Sequence, residues 1–324
     1  MRILVTGGAG YIGSHVVHEL LTAGHAVTVY DNLSTGHEWA VGEAELVVAE
    51  LGDRQTLARV VARGFDAVMH FAAHIVVPES VAEPLKYYRN NTGNTLGLLE
   101  TVKAAGVPVF VFSSTAAVYG MPDVSLIDEQ TPLAPINPYG ASKMMSERML
   151  IDLAAAQSLR YGILRYFNVA GAHPDGHIGQ STPVATHLIK VACQAALGRR
   201  DGLAIFGSDY PTRDGTCIRD YIHVVDLARA HVQLLDHLVA GGDSRIYNCG
   251  YGHGYTVREV VDTVQRVHGQ AFPVHEIDRR DGDPAALVAD STRLRTELGW
   301  QPEYDDLETI VRHAYRWERG ERSG

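Results

Sequence analysis

The sequence predicts an α/β protein built on a doubly wound parallel sheet, with a smaller C-terminal α/β part interleaved with it. Three observations carry that prediction. Short runs rich in β-branched residues alternate with segments of helical periodicity through the first half of the chain. The strand runs are almost wholly apolar, the pattern of strands buried on both faces by helices. A glycine-rich turn joins the first strand to the first helix. At 324 residues the chain holds about two domains of roughly 150 residues. Its 46% hydrophobic and 20% charged residues are ordinary globular composition, which excludes a disordered chain.

Residues 2–6 read as the first strand, ending at Gly7 and Gly8, after which Ile12, Val16, Leu20 and Leu21 recur at helical spacing up to Gly24. A second strand, 26–30, ends at Asp31. A strand at 45–49, a helix at 53–63 closed by Gly64 and a strand at 66–72 follow. Next come a long helix at 85–105 closed by Gly106, a strand at 108–112, a helix at 139–158 and a strand at 161–167. After about Asn168 the alternation weakens. Residues 181–197, 224–239 and 257–267 read as helices, and 245–249 again has the pattern of a buried strand. The chain is therefore expected to return to the first sheet, giving one domain from 1–168 with 224–250 and a second from 169–223 with 251–324. Residues 320–324 read as a frayed end.

Twenty-eight basic against 38 acidic residues give a formal charge of −10, and no stretch clusters Lys or Arg, so nucleic acid is excluded as a partner. Cys193, Cys217 and Cys249 are widely spaced and read as reduced core thiols. Glycines interrupt the first apolar run too early for a secretion signal, and no apolar run reaches the roughly 18 residues of a membrane helix, so the chain reads as cytoplasmic. The sixteen histidines are spread along the chain and no metal site is expected. His70, within a strand, reads as a packed core residue.

Gly7-Gly8-Ala9-Gly10-Tyr11-Ile12-Gly13 lies between strand and helix. There a backbone free of side chains lets a pyrophosphate approach the helix N-terminus, whose N–H groups and dipole favour negative charge. The spacing is G-x-x-G-x-x-G rather than G-x-G-x-x-G. Asp31 stands at the end of the next strand, where its carboxylate can accept from both adenosine ribose hydroxyls and repel a 2′-phosphate. The cofactor expected is NAD rather than NADP.

Tyr139 and Lys143 are four residues apart at the start of a helix and share a face. A free phenol is a poor base at neutral pH, and an ammonium one turn away favours the phenolate, as would an oxidised nicotinamide. Ser113, Ser114 and Thr115 end the strand at 108–112, at the carboxyl edge where this architecture binds ligands. A hydroxyl there can bond a substrate oxygen while Tyr139 moves its proton. For Ser113 and Ser114, turn or capping roles serve equally.

In these motifs together the chain resembles the extended short-chain dehydrogenase/reductase family and, within it, the UDP-glucose 4-epimerase family almost from end to end. The matching blocks are Tyr30-Asp31-Asn32-Leu33, His70-Phe71-Ala72-Ala73, Tyr87-Tyr88-Arg89-Asn90-Asn91, Ala117-Val118-Tyr119-Gly120, Arg165-Tyr166-Phe167-Asn168, Ile205-Phe206-Gly207, Asp209-Tyr210-Pro211-Thr212, Arg219-Asp220-Tyr221-Ile222-His223-Val224 and the 279–283 block. The resemblance implies a Rossmann-type fold, a tightly held NAD, a UDP-hexose substrate and a homodimer built on the helices at 85–105 and 139–158. The aliphatic residues Leu96, Leu99 and Met149 serve equally well as internal core. It implies that Tyr139 takes the proton of the sugar 4-hydroxyl while C4 gives its hydride away, that the 4-ketose turns over, and that hydride returns to its other face. Lys143 then holds the nicotinamide ribose and lowers the Tyr139 pKa, and Thr115 bonds the 4-oxygen. For the cofactor the resemblance points to Gly7, Gly10, Tyr11, Ile12, Gly13, Asp31, Asn32, Glu50, Leu51, Phe71, Ala72, Ala73, Asn90, Ser113 and Tyr166, besides Tyr139 and Lys143. For the UDP-sugar it points to Asn168, Leu188, Phe206, Arg219, Tyr221, Arg280, Asp283 and Leu287, besides Thr115 and Tyr139.

Four departures matter. Glu50-Leu51 stands where Asp before an aliphatic residue is usual, Ile75 where a lysine is frequent, and Thr115 where serine is common. Leu287 replaces a large tyrosine, which leaves room for an N-acetylated hexose such as UDP-GlcNAc or UDP-GalNAc. A 4,6-dehydratase needs an acid and a base after the threonine, and here Ala116 and Ala117 follow. A 4-epimerase of UDP-pentoses or UDP-uronates, or a nucleotide-sugar-binding regulatory protein of the same fold, remain as alternatives.

Overall fold

The computed structural model describes residues 1–280 and 282–320. Asp281 of the 279–283 block and residues 321–324 of the expected frayed end lie outside the described residues. Elements alternate from the start: β1 (Arg2–Thr6), α1 (Tyr11–Thr22), β2 (Ala26–Asp31), β3 (Glu45–Val48), α2 (Arg54–Val61), β4 (Ala67–His70), α3 (Val77–Ala82), α4 (Pro84–Tyr87), α5 (Asn94–Ala105), β5 (Val109–Thr115), β6 (Leu126–Ile127), α6 (Pro138–Ala156) and β7 (Arg160–Tyr166). The later chain adds β8 (Asn168–Ala170), α7 (Leu188–Ala196), β9 (Leu203–Phe206), β10 (Ile218–Arg219), β11 (Tyr221–His223), α8 (Val224–Val239), β12 (Arg245–Cys249), β13 (Tyr255–Thr256), α9 (Val257–His268), β14 (Val274–Ile277), β15 (Ala286–Ala289), α10 (Thr292–Leu298) and α11 (Leu307–Arg319).

Two compact units result. The first comprises Met1–Gly120, Pro132–Arg165 and Ala228–Tyr247; the second comprises Met121–Thr131, Tyr166–Leu227 and the chain from Asn248 onward. A seven-stranded Rossmann-type sheet in the order β12-β7-β5-β4-β1-β2-β3 organises the first unit. β1 pairs in parallel with β2 and β4, β2 with β3, and β4 with β5. Chain direction across the sheet therefore switches between β1 and β4, the crevice where this topology binds ligands. Thr6 lies opposite both Tyr30 and His70, so Gly7 and Phe71 leave the sheet, and Asp31 ends β2, at one carboxyl edge. All of β4 and β5 is buried, which is why those strands read as continuous apolar runs. Leu4, Leu57, Val68, Leu98, Val102, Phe110, Phe112 and Ile163 share one core cluster.

Three expectations need correction. The helix expected at 85–105 is α4, a π-helical turn over Tyr88–Gly93, and α5. Asn90, Asn91 and Gly93 are weak helix formers, and polar partners stabilise the wider turn. The Asn91 carbonyl accepts from the Thr95 and Ser146 hydroxyls at 2.5 and 3.1 Å, and the Gly93 carbonyl from Arg54 at 3.1 Å. The helix expected at 181–197 begins only at Leu188; Pro183 denies the earlier segment a donor and pushes its neighbour out of helical geometry. The strand expected to stop at 112 runs on to Thr115, so the three hydroxyl residues are part of β5 and buried.

The second unit contains a four-stranded sheet in the order β13-β10-β15-β6 and two strand pairs, β11-β8 and β14-β9. Its strands have two to four residues, too few to show a period. Cys193, Cys217 and Cys249 are free and buried. Among the described residues no helix is long and apolar enough to cross a membrane.

Candidate active site

The glycine turn of the first unit is shaped by what a Cβ would strike. Gly7 has φ +74° and donates to the Tyr30 carbonyl at 2.9 Å; a Cβ on it would lie 2.5 Å from the Ala72 nitrogen. A Cβ on Gly13 would lie 2.2 Å from the Gly7 carbonyl oxygen. Only glycine lets the first turn of α1 sit this close to β1. Gly10 caps α1 without a side-chain bond, and a Cβ there would meet only the Gly7 oxygen, at 3.4 Å. Gly10 brings no side chain to the first N–H groups of α1, and the turn leaves open space beside it, a cradle that fits a pyrophosphate.

Asp31 is buried, and its carboxylate accepts from the Ala9 and Leu33 N–H groups at 3.0 and 2.8 Å. Burial raises its pKa against those two bonds. Each oxygen keeps a further lone pair for a ribose hydroxyl. Asn32 donates to both oxygens of Glu50 at 3.1 Å, so the longer acid is held beside β2, and Leu51 is buried. Ile75 is exposed. Phe71 packs on His231 with ring centroids 4.9 Å apart, and Ala72 and Ala73 follow in the loop after β4. Asn90 sits in the π turn and donates to Asn91 at 3.0 Å. Asn91, which sequence reasoning matched without giving it a role, ties that loop to α6. It accepts from the His74 N–H at 2.8 Å and donates to the His74 carbonyl and Ser142 at 2.9 and 3.0 Å.

Asn137 starts α6 by accepting from the Gly140 N–H at 2.9 Å, with Pro138 in the first turn. A Cβ on Gly140 would lie 2.4 Å from the Ala117 oxygen, so the helix start is pressed onto the chain after β5. Tyr139 is 8% exposed and Lys143 3% exposed. Tyr139 is hydrogen-bonded to the side chain of Thr115, whose oxygen also accepts from the Ala117 N–H at 3.1 Å. Lys143 donates to the Ser113 carbonyl at 2.7 Å and lies 4.5 Å over the Phe112 ring. Ser113 thus contributes its main chain.

The electrostatics correct one expectation. Burial raises the Tyr139 pKa, against the Thr115 bond, whereas the sequence pointed to a phenol lowered by Lys143. Burial also pulls Lys143 down to about 7, against the Glu147 charge, so the ammonium is only partly populated at neutral pH. His70 is a buried core residue bonded to Thr6 and Thr95 at 2.7 and 2.8 Å.

Ser114, for which the sequence left a direct role open, donates instead to the Glu147 carboxylate. Arg165 grips that carboxylate through Nε at 3.1 and 3.2 Å and Nη2 at 2.6 Å, and donates to the Tyr119 hydroxyl at 3.0 Å. Sequence reasoning missed this buried network. The signal available was Glu147, two turns after Tyr139 on the same helical face.

In the second unit Arg219 donates to Asp283 at 3.1 Å and to the Pro284 carbonyl at 2.8 Å, and β10 sets it in register with Leu287 of β15. Tyr221 of β11 is in register with Asn168 of β8, and both line a cavity with Leu188, the first residue of α7. Arg280 lies 3.4 Å above the ring of Phe206. Tyr166 ends β7. Sequence reasoning also missed Asp220. It is buried and accepts from the Tyr251, Gly252 and Ala289 N–H groups at 2.9, 3.1 and 3.2 Å, which fastens the junction between β10, carrying Arg219, and β11, carrying Tyr221.

The NAD dependent epimerase/dehydratase family matches residues 3–250. UDP-glucose 4-epimerase of Azospirillum brasilense is 60% identical over 320 residues, covering 98% of this chain and 92% of that one. Among solved structures, UDP-glucose 4-epimerase from Brucella ovis in complex with NAD superposes with a TM-score of 0.95 at 47% identity, covering 97% of each chain. The UDP-Glc/GlcNAc 4-epimerase from Campylobacter jejuni superposes with a TM-score of 0.87 at 49% identity, covering 98% of this chain and 99% of that one.

Proposed function

The chain belongs to the NAD dependent epimerase/dehydratase family, and from that premise we propose that it interconverts UDP-glucose and UDP-galactose by transient oxidation of the sugar at C4. The observation that carries the reading is the buried trio of Tyr139, Thr115 and Lys143, joined through Ser113 at the carboxyl end of β5. NAD, when bound, supplies reversible two-electron oxidation at C4.

The chain's own residues do the rest. Gly7, Gly10, Tyr11, Ile12 and Gly13 take the pyrophosphate, Asp31 a ribose, and Asn32, Glu50 and Leu51 the adenine side, with Phe71, Ala72, Ala73, Asn90, Ser113 and Tyr166 completing the cofactor's surroundings. Thr115 orients the 4-oxygen, and Tyr139 removes and returns its proton. Lys143 holds the ribose and, as an ammonium, favours the phenolate against the burial that opposes it. Arg219 and Arg280 grip the diphosphate by their fork geometry, with Asp283 accepting from ribose hydroxyls and Asn168, Leu188, Phe206 and Tyr221 around the nucleotide. Ala116 and Ala117 follow Thr115 and carry no proton, which disfavours a dehydratase.

Leu287 supports a second activity, on UDP-GlcNAc and UDP-GalNAc, because its side chain is smaller than a tyrosine beside the hexose. Rates with both sugar pairs on one preparation test this, and an inert acetamido pair removes it. A homodimer through α5 and α6 belongs to the same reading: Leu96 and Met145 are exposed on those helices, whereas Leu99 is core. So does a cytoplasmic location, with three free thiols. The decisive experiment incubates the purified protein with UDP-galactose and no added coenzyme. Appearance of UDP-glucose supports an epimerase with resident NAD; its absence, with NAD then supplied, rejects the reading.

A further inference from the structure

Three consecutive residues of β5 each bond to α6, at positions one turn apart on the helix. Thr115 bonds Tyr139, the Ser113 carbonyl accepts from Lys143, and Ser114 donates to Glu147. The spacing 139, 143, 147 is one face of an α-helix, and 113 to 115 is one strand end. Two of the three rungs hold the reacting pair. The third has no reacting group, yet it is the most heavily built: the Glu147 and Arg165 side chains are 1% and 4% exposed, and Arg165 is itself held by Tyr119. A buried ion pair is expensive to desolvate and often exchangeable for apolar residues without loss of stability, so stability alone is a weak reason for it.

We propose that Glu147 is a positioning residue for the Tyr139 and Lys143 pair, clamping β5 to α6 through Ser114 and placing a carboxylate one helical turn after Lys143. Arg165 holds the carboxylate in place from β7. The proposal deepens the reading given above and rests on it for the turnover measurements, but not for the state of Lys143. Among the described residues Glu147 on its own helix and His70 from β4 act electrostatically on Lys143, and Tyr139 stands one turn before it on the same helix. Burial holds His70 neutral at any pH used for assay, which leaves Glu147 as the anion opposing desolvation of the ammonium.

The test compares wild type with E147Q, with S114A and with the double variant E147Q/R165Q. The double variant leaves no unpaired buried charge and so guards against misfolding of E147Q. The Lys143 ammonium is followed by NMR titration of nitrogen-15 lysine, and turnover by UDP-galactose conversion across pH. In E147Q and in the double variant the Lys143 titration and the alkaline fall of kcat both move about one pH unit lower, and kcat at pH 7 drops about fivefold with KM within about twofold. S114A, which keeps the charge, lowers kcat without moving the titration. Titration curves that superpose on wild type in folded E147Q and in the double variant overturn the electrostatic part, and an unchanged kcat in S114A overturns the clamp. If wild type itself does not turn over UDP-galactose, the substrate reading fails while the Lys143 titration still decides whether Glu147 acts on Lys143.

Discussion

A phenol buried as deeply as Tyr139 is held in its neutral form, and its hydrogen bond to Thr115 works against that. The residue therefore depends on neighbours to exchange a proton at neutral pH, and removing its oxygen removes the exchange. Tyr139→Phe should lower kcat by about 10³-fold, within the range of a lost general base, while the protein still binds NAD and UDP. Steady-state kinetics with a binding assay on the same preparation checks this. His70 gives a prediction of a different kind. Burial lowers its pKa from 6.5 to about 3, so the folded protein binds fewer protons there than the unfolded chain. Its contribution is fully present above about pH 6.5 and is lost progressively as pH falls from 6.5 toward 3. His70→Gln, whose amide can still meet Thr6 and Thr95, should flatten the fall of Tm between pH 6.5 and 4.5; parallel curves for the two proteins would refute it.

Among the elements, α6 carries most of the chemistry and begins at one capping bond. Asn137→Ala should cost about 1 kcal/mol in urea unfolding, with a loss of kcat larger than that destabilisation explains, since the cap sets the height of Tyr139. An activity unchanged at full folding would show that Pro138 and Gly140 suffice. The first unit was largely legible before the structure because its central strands are buried on both faces, so apolar runs and glycine stops carried the pattern. The π turn was not, because polar residues in the middle of a long helical run look like a solvent face. Ser146 and Arg54, both remote in sequence, satisfy the freed carbonyls of Asn91 and Gly93. The end of β5 misled in the same way: hydroxyls normally announce a turn, and here burial against α6 satisfied them instead. In the second unit the two- to four-residue strands were invisible, whereas α11 went unread although Ile310, Val311 and Ala314 carry its buried stripe. Of the site, Tyr139, Lys143 and the glycine turn were readable from spacing, and Glu147, Arg165 and Asp220 were not, because a buried charge looks like a surface one until its partner is known.

At the scale of the whole molecule, the cofactor couples to stability. NAD at 100 times its dissociation constant should stabilise the protein by about 2.7 kcal/mol if it binds only the folded state. A thermal melt with NAD should therefore shift upward by several degrees, and NADP at the same concentration should do far less, because Asp31 stands where a 2′-phosphate would lie. Equal shifts with both would refute that role for Asp31. The order of strands has its own consequence for how the chain is made. β7 leaves the ribosome well before its sheet neighbour β12, and the intervening residues belong mostly to the other unit. For on the order of ten seconds at ordinary translation rates the nascent sheet ends in an open rim of unmet amides and carbonyls. That interval, rather than any weakness of the finished protein, is when a newborn chain is most exposed to pairing with the wrong neighbour.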